Sequence, residues 1–128
     1  MKKTIVTTDK APSAIGPYSQ AVIHNGMVYV SGQIALDPES MEVVGDSVEE
    51  QALQVMKNLS AVLKAAGCSL EDVLKCTLYL ADMGDFQKVN SIYGRYFQED
   101  PPAREAVAVK TLPKNVQVEI SCFAALSE

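Results

Sequence analysis

Apolar residues recur along this chain at two periods, one close to two and one close to 3.6, and their order outlines six strands and two helices. Lys3–Thr8 is a short run of β-forming residues. Residues 20–24 and 27–31 flank Asn25-Gly26, a pair suited to positive φ, and predict a tight hairpin. Ser47 and Glu50 have capping-box spacing and open a helix, whose apolar stripe is Val48, Ala52, Val55, Leu59, Val62, Leu63 and Ala66. Gly67 is its expected stop, and its stripe is assigned to core packing with no functional role. In Val73–Leu80, period two places Leu74, Cys76, Leu78 and Leu80 on one face. Asp85 opens a second helix with Phe86, Val89, Tyr93 and Tyr96 or Phe97 in its stripe. Asn90 falls beside that stripe, where an asparagine is ordinarily exposed.

After the Pro101-Pro102 break, a strand enters at Ala103-Arg104-Glu105 and closes at Pro113. In the final strand Val116, Val118, Ile120, Cys122 and Ala124 share one face, and Gln117, Glu119, Ser121 and Phe123 the other. The last two strands read as an antiparallel pair across Leu112-Pro113-Lys114-Asn115. The order β, ββ, α, β, α, ββ predicts an α+β fold with both helices on one face of the sheet. The second face, mixed in character, is expected to meet another subunit.

Two loops remain. Ala11–Gln20, with Pro12, Gly16 and Pro17, is an ordered loop of a size that often carries function, and Tyr18 stands at its exit. Tyr18 would otherwise simply pack with a wet hydroxyl. Residues 35–46 form the other. Ser31-Gly32-Gln33 ends a strand, and Gly32 lets backbone approach something closely.

Length and composition add boundaries. A chain of 128 residues fits a single domain, 1–128, and 48% hydrophobic with 21% charged residues is ordinary for a globular protein. The longest apolar runs are too short to span a bilayer, and the N-terminus does not read as a signal peptide, so a cytoplasmic protein with no membrane partner is expected. Cys68, Cys76 and Cys122 are odd in number and lack CxxC spacing, which points to reduced thiols and to neither a disulfide frame nor a zinc site. Cys76 reads as a small buried hydrophobe. A net charge of −5 argues against a nonspecific nucleic-acid binder. No phosphate-cradling glycine loop or metal-ligand cluster appears, and His24, the one histidine, sits in a hairpin arm facing solvent.

An anionic ligand would therefore need a local cation. Arg104 is held by stiff backbone at a strand mouth, and a guanidinium there suits a planar carboxylate through two parallel hydrogen bonds. An exposed arginine in a surface ion pair is the plainer role for the same position.

Ile15-Gly16-Pro17-Tyr18-Ser19-Gln20-Ala21, Val30-Ser31-Gly32-Gln33, Ala65-Ala66-Gly67, Val89-Asn90 with Ile92-Tyr93, and Pro102-Ala103-Arg104 with Leu112-Pro113 and Val118-Glu119-Ile120 together resemble the RidA/YjgF family of enamine/imine deaminases. The resemblance covers almost the whole chain in order. It implies a chorismate-mutase-like α+β fold with a six-stranded, mostly antiparallel sheet. It also implies a homotrimer with a central barrel and sites between subunits. The implied reaction is hydrolysis of 2-imino acids, such as 2-iminobutanoate and 2-iminopropanoate from pyridoxal-phosphate dehydratases, to 2-oxo acids and ammonia, a metabolite damage-control role with no cofactor or metal in the deaminase. By resemblance Arg104 grips the substrate carboxylate and Glu119 orients or deprotonates water. Tyr18 lines the cleft, and Asn90 supports the site. Ser31, Gly32 and Ala106 belong to substrate binding, the last two through backbone N–H groups. Two positions depart from the family pattern: Ala106, where many members have Cys, Ser or Thr, and Ser121, where many carry a second acid. Two other readings stand beside the enzyme. One is a trimeric 2-oxo-acid-binding regulator without turnover. The other, disfavoured by the charge and the lone histidine, is an RNA-cleaving translation inhibitor.

Overall fold

The computed structural model describes residues 2–126. Along the chain run β1 (Thr4–Val6), β2 (Ala21–His24), β3 (Met27–Gln33), α1 (Val48–Ala66), β4 (Val73–Leu80), α2 (Phe86–Tyr96), β5 (Ala103–Ala108) and β6 (Val118–Ala125). The strands form one sheet in the order β1-β2-β3-β6-β4-β5. The local signals act where they stand. Asn25 (φ 50°) and Gly26 (φ 75°) turn the β2–β3 hairpin in the left-handed region. Ser47 and Glu50 close the capping box of α1, and Gly67 (φ 92°) ends the helix. The Ser47 bonds hold the exposed Glu50 carboxylate below its usual pKa. Met56, Leu59 and Leu63 of α1, Val89 of α2, and Val28, Leu78 and Ile120 of the sheet are fully buried between the helices and the sheet.

Two expectations are corrected. First, β5 and β6 are not an antiparallel pair. β6 runs antiparallel between β3 and β4, whereas β5 pairs parallel with β4, Cys76 opposite Arg104 and Leu78 opposite Ala106. The crossover through α2 returns β5 in the direction of β4, as a helix between parallel strands must. The alternating apolar residues of β6 claim the central slot with a partner on each side, and the small, mostly exposed residues of β5 suit the edge. Second, the register of β4 shifts between Val73 and Lys75, so Val73 is buried and Leu74 is turned out to solvent. The apolar stripe of α1 is buried core as expected, and two polar residues beside it add a second role. Asn58 is buried and donates from Nδ2 to the carbonyls of Ile34 and Leu36, both at 3.0 Å. Gln51 Oε1 accepts the Gln117 N–H at 2.8 Å. These two amides tie the segments after β3 and before β6 to the helix. His24, expected in solvent, is half-buried at the hairpin end, opposite Met27.

The register assigns faces. Arg104, Cys76 and Cys122 lie in one row across β5, β4 and β6, and both cysteines are buried under the helices. Val107, Tyr79 and Glu119 lie in another row, on the face without helices. That open face carries exposed Ile5, Tyr29, Leu74, Val107 and Phe123, with the Tyr29 and Phe123 rings 5.5 Å apart.

Candidate functional site

The residues singled out by sequence fall into two groups, each assembled by different elements. The first surrounds a cavity of about 620 Å³ at one end of the sheet, lined by Tyr18, Ser31, Gly32, Lys114 and Glu119 among others. Gln20 shapes this end, a role the sequence reading missed. Its buried amide accepts the Thr8 N–H at 2.7 Å and donates to the carbonyls of Thr8, Ala11 and Pro12 at 3.0, 3.3 and 2.7 Å. That clasp fixes the loop that presents Tyr18, whose side chain is exposed at the cavity wall. Ser31 is already engaged: its hydroxyl donates to the Ser19 carbonyl at 2.6 Å and its N–H to the Gln20 carbonyl at 3.0 Å. Ser31 therefore anchors the loop at the cavity it lines.

Gly32 sits where the β3–β6 register shifts between Val30 and Gln33. A Cβ there would overlap Glu119 Oε2 and stand 2.8 Å from Cδ, so the missing side chain makes room for the Glu119 carboxylate over the backbone. Glu119 is half-buried, and burial raises its pKa above the ordinary carboxylate range. Gly32→Ala is expected to keep the fold, because the obstructing atoms are the far end of a flexible side chain, yet to displace the carboxylate from the cavity. Melting temperature should stay near wild type while any Glu119-dependent turnover falls by roughly 10²-fold, the usual size of a general acid–base contribution. Unchanged turnover would remove Glu119 from the chemistry.

The second group stands at the sheet edge and faces α2. Arg104 Nη1 donates to Asn90 Oδ1, and its guanidinium carbon lies 5.2 Å above the Phe86 ring and 5.0 Å above the Tyr93 ring. Tyr93 is buried, and its hydroxyl has no oxygen or nitrogen partner and lies against the Cys76 thiol. Burial raises the pKa of Tyr93 first, and that contact adds to it. Burial likewise raises Cys76 and Cys122, as befits inert core thiols. The Val109 N–H donates to the Leu80 carbonyl at 2.9 Å. By the alternation of a parallel ladder, the backbone N–H groups of Arg104 and Ala106 then face away from β4, toward the open edge. Ala106 is half-buried on the same face as Arg104.

One chain thus joins Tyr18, Ser31, Gly32 and Glu119, and separately joins Arg104, Asn90 and Ala106. Arg104 and Glu119 point from opposite faces of the sheet, so one chain does not bring them together. The first group offers a carboxylate of raised pKa in a largely apolar hollow, suited to taking a proton from water. The second offers an arginine with free N–H donors beside an edge amide, suited to a carboxylate. Among the described residues, no three of His, Cys, Asp and Glu converge as metal ligands, and no helix is long and apolar enough to cross a membrane.

A family model described as Endoribonuclease L-PSP matches residues 8–126. A RutC family protein of Synechocystis sp. is 52% identical over 128 residues, spanning 98% of each chain. The human protein named 2-iminobutanoate/2-iminopropanoate deaminase is 48% identical over 122 residues, 95% of this chain and 89% of its own. The crystal structure of E. coli TdcF with bound serine superposes with a TM-score of 0.92 at 40% identity, covering 97% of this chain and 99% of that one.

Proposed function

The chain belongs to the Endoribonuclease L-PSP family, the RidA/YjgF proteins, and from that premise we propose that it hydrolyses 2-imino acids such as 2-iminobutanoate and 2-iminopropanoate to 2-oxo acids and ammonia. The observation that carries this reading is the pairing of chemistries. An Arg104 guanidinium steadied by Asn90 with donors to spare, and a Glu119 carboxylate of raised pKa, are groups that hydrolysis of a carbon–nitrogen double bond next to a carboxylate can use.

In this reading the Arg104 fork and the Ala106 N–H bind the substrate carboxylate, and Asn90 steadies the guanidinium. Glu119 accepts a proton from water as the water oxygen bonds to the imine carbon and the C=N π electrons move to nitrogen. The proton passes to that nitrogen, giving a carbinolamine. Glu119 then relays the carbinolamine hydroxyl proton to the amino nitrogen as C=O forms and C–N breaks, and ammonia leaves. Tyr18 lends its hydroxyl to this exchange at the cavity wall. Little more is needed, because positioning supplies most of the rate for a carbon already this electrophilic.

The placement of the two groups on opposite faces calls for a second copy of the chain to complete each site, in a homotrimer built on the open, partly apolar sheet face. A binding-only reading, as a 2-oxo-acid sensor, would use the same Arg104 half, and the serine bound to the TdcF relative is a reason to keep it. It gives no role to the Glu119 carboxylate. The family description as an endoribonuclease has little to work with here, given a net charge of −5 and a histidine away from the cavity.

The test generates the imine with threonine dehydratase and threonine and traps it with semicarbazide. The protein is expected to suppress semicarbazone formation. The pH profile carries a second expectation. Burial raises the Glu119 pKa, so the carboxylate stays protonated to higher pH and activity appears only as pH climbs through the raised value. The acid limb of kcat/KM should lie above the ordinary glutamate range and vanish in Glu119→Gln. The same shift means that ionising Glu119 costs folding stability above that pH. No suppression, with 2-oxobutanoate still bound, would replace the enzyme by the sensor.

A further inference from the structure

Phe86, Asn90 and Tyr93 stand at i, i+4 and i+7 on α2, so they form one stripe on a single side of the helix. All three meet the Arg104 side chain, which comes from β5: the amide oxygen of Asn90 accepts from Nη1, and the two rings lie beneath the guanidinium carbon at 5.2 and 5.0 Å. We infer that Phe86 and Tyr93 are positioning residues, an aromatic platform that holds the Arg104 guanidinium ready for the substrate carboxylate. The inference rests on the deaminase reading of Arg104.

The physical need is specific. Arg104 is exposed on an edge strand, and a free arginine loses rotamer entropy when a ligand fixes it. A platform that fixes it beforehand removes that loss from binding. The ring faces attract the cation, and the planar fork keeps its edge donors for a ligand. Nη1 spends one donor on Asn90, which sets the rotation of the fork in its plane. Tyr93 cannot swing away. It is buried, its ring packs on Phe97 at 4.7 Å, and its hydroxyl lies beside Cys76, the residue that pairs with Arg104 across β4 and β5. The platform is thus wedged between the core and the arginine, and Phe86, only partly buried, closes its outer side.

The test separates a cation–π platform from mere packing by fluorinating Phe86. Mono-, di- and trifluorinated phenylalanine at position 86 keep nearly the same volume while draining the ring face of negative charge. Phe86→Leu and Phe86→Tyr are made alongside. Two quantities are read on each protein: the dissociation constant for 2-oxobutanoate by calorimetry, and KM and kcat for imine hydrolysis. The expected result is a stepwise rise of Kd and KM with fluorination at constant melting temperature. Phe86→Leu should show a rise of roughly three- to tenfold, with kcat changed less than twofold, and Phe86→Tyr should restore both constants. A flat fluorine series, or a fall in kcat with KM unchanged, overturns the platform while leaving the deaminase intact. A wild-type protein that neither binds 2-oxobutanoate nor hydrolyses the imine overturns the deaminase reading, and this inference with it.

Discussion

Arg104→Ala is expected to lower kcat/KM for imine hydrolysis by roughly 10²–10⁴-fold, from two charge-assisted hydrogen bonds worth about 1.5–3 kcal/mol each. Melting temperature should barely move, because Arg104 is exposed and lies on an edge strand that only β4 holds. In the trapping assay the variant would leave semicarbazone formation close to the rate without protein. Most of the loss should appear in KM, since the carboxylate is bound in substrate and transition state alike. Arg104→Lys would recover little, because an ammonium cannot reproduce the planar fork that stands over the Phe86 and Tyr93 rings. Wild-type suppression by Arg104→Ala would leave the substrate carboxylate without its proposed partner and end the assignment as drawn.

Local chemistry was the most legible part of this chain. Asn25-Gly26, the Ser47–Glu50 box and Gly67 each specify a backbone conformation within a few residues, and each stands where expected. Pairing of distant strands was less legible. Nothing within β5 or β6 states that β6 enters between β3 and β4; that follows from competition for the central slot, which is a property of the whole sheet. The register shift that turns Leu74 outward arises in the pairing with β6 and leaves no local mark. Buried amides were missed for a related reason. Gln20, Gln51 and Asn58 look like surface residues until the carbonyls they satisfy are in place. The candidate site residues stand out through family resemblance, since an arginine shortly after two prolines is by itself unremarkable. Even so, one signal was available: Phe86, Asn90 and Tyr93 share helical spacing, which places the asparagine within the aromatic stripe and not beside it.

The opposite faces of Arg104 and Glu119 lead to the other large effect, recovery of activity by mixing two dead proteins. Arg104→Ala and Glu119→Ala should each be nearly inactive alone. If each site takes Arg104 from one subunit and Glu119 from the next, an oligomer containing both variants rebuilds an intact site wherever a Glu119→Ala chain offers its arginine to an Arg104→Ala chain. In a cyclic trimer, either ratio of the two chains creates one such junction among three, so doubly tagged mixed oligomers should show about a third of wild-type turnover. A site held within one chain gives a different result, because every chain in the mixture lacks either the arginine or the carboxylate, and activity stays at background. The magnitude is decisive, since recovery is read against losses of roughly 10²-fold or more in both parents. The experiment also tests the role of the open sheet face. Replacing exposed Phe123 with a charged residue should break the oligomer and abolish turnover while leaving Arg104, Glu119 and their immediate partners unchanged in sequence. A monomer that retained full activity would place both halves of the chemistry in one chain, against the separation of faces that β-strand register imposes.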